Sequence, residues 1–142
     1  MTLTQLRILF LNFFSKHKQV NHCVYGDLSD YVAIPDKLYY SINIQYNNSN
    51  VSGKYINHNY TITVSDLMKL DIPETEHSAI SNCMEIAKDF IAYLSYNDDI
   101  SSVNPSIQPF RQATGDITAG VVLGINVQLF LPFNECAIPT NL

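Results

Sequence analysis

The side chains best suited to metal binding or nucleophilic chemistry are four histidines, His17, His22, His58 and His77, and three cysteines, Cys23, Cys83 and Cys136. No pair of histidines stands at HxxxH or HxH spacing and no CxxC occurs. A metal site needs several such ligands converging on one point. A Cys–His pair acts as nucleophile and base only when a third group orients the base, and the spacing supplies none. Acidic pairs stand at Glu74/Glu76 and at Asp98-Asp99. Two carboxylates perform acid–base work only when held across a substrate. Glu74 and Glu76 are better explained as carboxylates in the first turn of a helix, where the dipole favours them. Asp98-Asp99 reads as a solvated loop. Asp27, Asp30 and Asp36 gather near Gly26 but lack the ligand spacing and closing Glu of a calcium loop. Neither GxxxxGKS/T nor GxGxxG is present. The chemistry-bearing residues thus predict no catalytic site, no metal and no cofactor.

Charge points the same way. The 142 residues carry eight Lys and Arg against thirteen Asp and Glu, a formal net charge of −5. A nucleic-acid- or acidic-membrane-binding module would present a basic face, and here the cations are spread along the chain. An acidic or neutral wall does, however, suit a conduit through which DNA passes without being gripped. Polarity comes from Asn, Ser, Thr, Gln and nine Tyr rather than from ions, and such a surface suits close packing between subunits. The odd, widely spaced cysteines predict free buried thiols in a reducing compartment. The apolar run Leu3–Phe14 is interrupted by Gln5, Arg7 and Asn12 and lacks a cleavage site, so it predicts neither a signal peptide nor a membrane span.

The elements that would position these residues follow from periodicity. Thr2 or Thr4 can cap a helix to about Lys18, with Leu3, Leu6, Phe10, Phe13 and Phe14 as its apolar stripe. Ile8, Leu9 and Leu11 widen that stripe, leaving two readings: packing across the sheet, or a second face for a neighbouring subunit. Val20–Tyr25 is β-prone, and Leu28–Val32 has the length of one helical turn. Leu38, Tyr40, Ile42, Ile44 and Tyr46 alternate with polar residues as a half-buried strand. Asn47–Lys54 reads as a polar loop, and Tyr55–Val64 as the antiparallel return. Pro73 opens a second helix with Ile80, Cys83, Met84, Ala87, Ile91 and Leu94 as its core stripe, widened by Ile86, Phe90 and Tyr93 and ending near Tyr96-Asn97. Asp98–Pro105 reads as a loop and Ile107–Ala113 as an edge strand tolerant of Pro109. Ala119–Leu131 is a long strand, and residues 132–142 form an extended tail. The expected fold is one α+β domain over 1–142, with a body at 1–131. Its sheet is mostly antiparallel, four- to five-stranded, backed by two helices in the order αβββαββ.

The run of motifs carries a resemblance. Gly26-Asp27-Leu28-Ser29-Asp30 follows the first strand and Asp36-Lys37-Leu38-Tyr39-Tyr40 opens the second. Ser65-Asp66-Leu67 precedes the second helix, and Asp116-Ile117-Thr118-Ala119-Gly120-Val121 opens the last strand. Leu131-Pro132-Phe133-Asn134-Glu135-Cys136-Ala137-Ile138-Pro139 ends it. In this order the chain resembles the tail-terminator, tail-completion and neck ring proteins of tailed phages, and most closely those of Bacteroidetes (crAss-like) phages. The resemblance implies a virion subunit forming a hexameric or dodecameric ring at the head–tail junction. Its implied partners are copies of itself and other neck, portal or tail proteins, with DNA only as passing cargo and no membrane. No catalytic residue is implied. Long surface segments are where contacts usually sit, so Asn48, Val51, Gly53, Phe110, Phe133, Cys136 and Ile138 are the expected interface residues. The other reading is a small cytoplasmic ligand- or peptide-binding α+β domain; a small hydrolase is third.

Overall fold

The computed structural model describes residues 1–32, 38–112, 116–131 and 139. Helix α1 spans Leu3–Lys16, strand β1 His22–Tyr25, helix α2 Leu28–Val32, strands β2 Ser41–Ser52 and β3 Tyr55–Leu67, helix α3 Pro73–Ser95, and strands β4 Ser102–Gln112 and β5 Thr118–Phe130. They build one five-stranded sheet in the order β1-β2-β3-β5-β4.

The fold is α+β, but the sheet is mixed. β1 pairs with β2 in parallel, while the other three pairings are antiparallel. A parallel pair needs a crossover, and the segment containing α2 supplies it. The order is therefore αβαββαββ, with three helices rather than two. α1 and α3 cover one face of the sheet. α2 lies on the other, where the Tyr31 hydroxyl sits 2.7 Å from Ser41 Oγ and 2.8 Å from Ser65 Oγ.

α1 starts at a reciprocal capping box. Gln5 N donates to Thr2 Oγ1 and Thr2 N donates to Gln5 Oε1, satisfying two amides that a helix start leaves open. Leu6, Phe10 and Phe14 are buried, and Leu3, Leu9, Leu11 and Phe13 pack against the same core. Of α1's wide apolar surface only Ile8 stays half exposed, so packing within the chain takes up nearly all of it. α3 has Pro73 in its first turn and buries Ala79, Cys83, Ile86, Ala87, Phe90 and Leu94. Its inward stripe is thus rotated from the expected one. Ile86 and Phe90 lie at its centre, and Ile80, Met84 and Ile91 lie at its margin. Phe90 meets Phe10 at 5.0 Å and Phe14 at 4.7 Å between ring centroids, and Phe10 meets Tyr60 at 4.9 Å. These contacts tie both helices to β3. Each fully buried Phe, Leu or Ile contributes about 1.5–3 kcal/mol.

The expected loop Asn47–Lys54 is strand as far as Ser52. The turn has only two residues, Gly53 and Lys54, and Gly53 adopts the left-handed φ of 60° that such a turn favours. A register shift between Tyr46 and Asn48 leaves Asn47 as the extra residue of a bulge. The expected loop Asp98–Pro105 is likewise shorter, since β4 begins at Ser102. β4 is an edge strand, as its prolines required. Pro105 and Pro109 stand opposite Ile125 and Val121 in an unbroken ladder, so both nitrogens face away from β5.

Candidate functional site

The register separates two chemically different sheet faces. Toward α1 and α3 point Ile42, Ile44, Tyr60, Ile62, Val64, Val121, Leu123, Ile125, Val127 and Leu129, all buried. The other face carries mainly amides and hydroxyls, running from Ser41, Asn43 and Gln45 on β2 to Asn104, Ser106 and Gln108 on β4, with Tyr55 and Phe130 at one end, Leu67 at the other and Val122 between. No Lys, Arg, Asp or Glu of the five strands points to it. One register row sets Asn48, Asn59, Asn126 and Asn104 side by side across four strands. Asn59 Nδ2 donates to Asn48 Oδ1 at 2.6 Å, and Asn126 Nδ2 donates to Asn59 Oδ1 at 2.7 Å. Asn47 Nδ2 donates to Thr61 Oγ1 at 2.7 Å, and Ser102 Oγ to Gln128 Oε1 at 3.0 Å. These bonds hold the face in a fixed arrangement. Where α2 covers it, Ser41, Asn43, Thr63 and Ser65 are buried. Neither amide atom of Asn43 has a hydrogen-bond partner among the described residues, an expensive state for a buried amide.

Two apolar patches lie at the ends of β3. At its start, Tyr55 and Phe130 are paired in register with ring centroids 6.1 Å apart, and both are exposed. At its end and just beyond, Leu67, Leu70 and Ile72 are exposed. Tyr55 and Leu67 are the first and last of the thirteen residues of β3, about 40 Å apart at the usual rise per residue.

The hairpin also assembles a group that the spacing of single residues did not announce. Ser49 Oγ hydrogen-bonds His58 Nδ1, and the Tyr46 hydroxyl hydrogen-bonds Ser49 Oγ. Burial lowers the pKa of His58, favouring a neutral ring that can accept the serine proton. A hydrolytic dyad also needs an orienting acid and oxyanion donors. Among the described residues no carboxylate pairs with His58. The signal for this cluster was the turn: counting outward from Gly53-Lys54 sets Ser49 opposite His58.

Two adjoining clefts of about 400 and 470 Å³ open where β3 runs out, sharing Leu67 and Thr75. Asp66 and Asn82 line one, and Lys69 and Asp116 line the other. Burial raises the pKa of Asp66. Burial first, and the Asp66 charge second, pushes the nearby Cys83 thiol up to about 12. The Tyr39 hydroxyl donates to Asp116 Oδ2 at 2.8 Å; burial, then that bond, raises its pKa. The Cys83 thiol and the Tyr39 hydroxyl are thus held in their protonated forms, which suits hydrogen-bond donation rather than nucleophilic attack. A third cleft, of about 660 Å³, lies at the end of α1 between Phe13, Lys16, His17, Lys18 and Tyr93. His17 Nε2 lies 2.9 Å from Asp89 Oδ2. Its lysines stand at the negative end of α1 and act as counter-charges to that helix.

Of the expected interface residues, Asn48 lies in the amide row and Phe110 on the same face, partly buried, opposite Gly120. Val51 and Gly53 lie at the hairpin end, both exposed. Phe133, Cys136 and Ile138 fall outside the described residues. The four histidines do not converge: His22 lies on β1, His58 on β3, His77 on α3 and His17 at the end of α1. Cys23 and Cys83 are free thiols, half-buried and buried respectively; burial pushes Cys23 up to about 12 as well. Among the described residues no three His, Cys, Asp or Glu are placed to hold a metal ion, and no helix is long and apolar enough to cross a membrane. No family model and no curated protein sequence matches the chain.

Proposed function

We propose that the chain is a structural, non-catalytic virion subunit that assembles with its own copies into a ring at the head–tail junction of a tailed phage. There it contacts neck, portal or tail proteins and surrounds the DNA conduit. The observation that carries this reading is the pair of exposed apolar patches at opposite ends of β3, Tyr55/Phe130 and Leu67/Leu70/Ile72. A ring closes through a heterologous contact, in which two different patches on each subunit meet in sequence around the circle. Burying such side chains stabilises the contact by about 25 cal/mol per Å². The net charge of −5 suits a wall that lets DNA pass. The phage placement rests on the sequence resemblance, and the ring on the two patches.

Negative-stain imaging and light scattering of the full chain test it. Closed rings are expected, and Phe130→Ser or Leu70→Ser should each break them into smaller species with an unchanged circular dichroism spectrum. Rings that survive both substitutions would remove the patches from the interface. The alternative, a ligand- or peptide-binding domain, draws support from the clefts around Asp66, Thr75 and Asn82. A monomeric chain that binds peptides there would favour it.

A further inference from the structure

From the distribution of charge over the sheet we infer that the uncharged amide face is a docking site for the same face of a second copy, so that the chain associates as two-fold pairs. This goes beyond ring closure: the ring patches reach this face only at its ends, through Tyr55, Phe130 and Leu67, and the amide row lies between them. Three observations carry it. First, the chain bears thirteen acidic residues against eight basic ones, yet none of either kind from the strands points to this face. Beyond the part that α2 covers, two acidic molecules can therefore meet here without charges of the strands opposed. Second, an amide is donor and acceptor at once, so a row of them complements its own copy after a half-turn, as an isologous contact requires. The row is already ordered by the Asn59–Asn48 and Asn126–Asn59 bonds, so little side-chain freedom remains to be lost on association. Third, the long outer edge of the sheet is closed to strand addition, since Pro105 and Pro109 remove two of the amides that would pair with an incoming strand. Copies that meet on the β4 side of the sheet must therefore use its face rather than that edge.

The test uses charge at the two margins of the row. Asn48 only accepts in the row, and Asn104 makes no bond within it in the structure. Asn48→Asp/Asn104→Asp and Asn48→Lys/Asn104→Lys therefore change charge without removing an internal donor. Sedimentation equilibrium of the full chain, in the Leu70→Ser background so that ring closure does not interfere, should give pairs for the parent. Each doubly charged variant alone should associate at least tenfold more weakly, and an equimolar mixture of the acidic and basic variants should recover pairing. Recovery distinguishes a self-facing contact from damage to the fold. A parent that stays monomeric at high concentration would overturn the inference. So would charged variants that pair like the parent, or a mixture that pairs no better than its components. None of these outcomes bears on rings that the parent chain forms through its strand ends.

Discussion

Gly120 has no room for a side chain: a Cβ there would stand 1.9 Å from the Val64 carbonyl oxygen, within the backbone of the neighbouring strand. Gly124 differs, because its Cβ would meet only the movable Ser106 hydroxyl, at 3.1 Å. Gly120→Ala is therefore expected to destabilise the fold by about 3 kcal/mol and Gly124→Ala by less than about 1 kcal/mol, read by urea denaturation. Equal losses would contradict the close approach of β5 to β3. Asp66 gives a pH-dependent prediction. Burial raises its pKa in the folded state above the ordinary value of 3.8, so folding favours the protonated form. The stability this contributes is fully present below the unfolded pKa and is lost as pH rises through the folded one. Asp66→Asn, which stays neutral, should raise Tm at pH 7 and leave it nearly unchanged at pH 3. The same shift at both pH values would assign the effect to packing instead.

α2 has only five residues and depends on its neighbours more than on its own hydrogen bonds. Tyr31 anchors it by reaching Ser41 and Ser65 through the hydroxyl. Tyr31→Phe takes the partner from the buried Ser41 hydroxyl and leaves Ser65 only its 3.4 Å bond to the Ser41 carbonyl, which should cost about 1–3 kcal/mol, with hydrogen exchange accelerating in α2 and β1 before it does in β3 and β5. Uniform acceleration would mean that α2 is not a separately anchored element. The same elements show what the sequence made legible. α1 and α3 were readable because a cap, a first-turn proline and a helical apolar period all agree, and β5 because apolar residues recur at every second position from Ala119 to Leu129. The parallel pairing of β1 was hidden because a five-residue helix carries no period from which a crossover can be read. The distal half of β2 was hidden because Asn and Ser are poor strand formers. There the strand is held by a two-residue turn and by side-chain bonds between strands, such as Asn59 to Asn48. That mistake concealed both the amide row and the Ser49–His58 contact, although the turn at Gly53 already set their register.

For the molecule as a whole, α1 no longer supplies the surplus apolar surface that assembly requires, because its side chains are nearly all consumed by the chain's own core. The load shifts to the two ends of β3 and, for pairing, to the amide face between them. Charge enters here as well: contacts built from apolar ends and neutral amides should resist salt, since screening acts on exposed charges. Raising ionic strength is therefore expected to leave assembly unchanged or to strengthen it. The most direct measurement of the central claim is the mass of the unmodified full chain in solution, by sedimentation velocity from micromolar to hundreds of micromolar. The account predicts a discrete species several times the 16.0 kDa of one chain, persisting in high salt. A single species of one-chain mass over the whole range would contradict it.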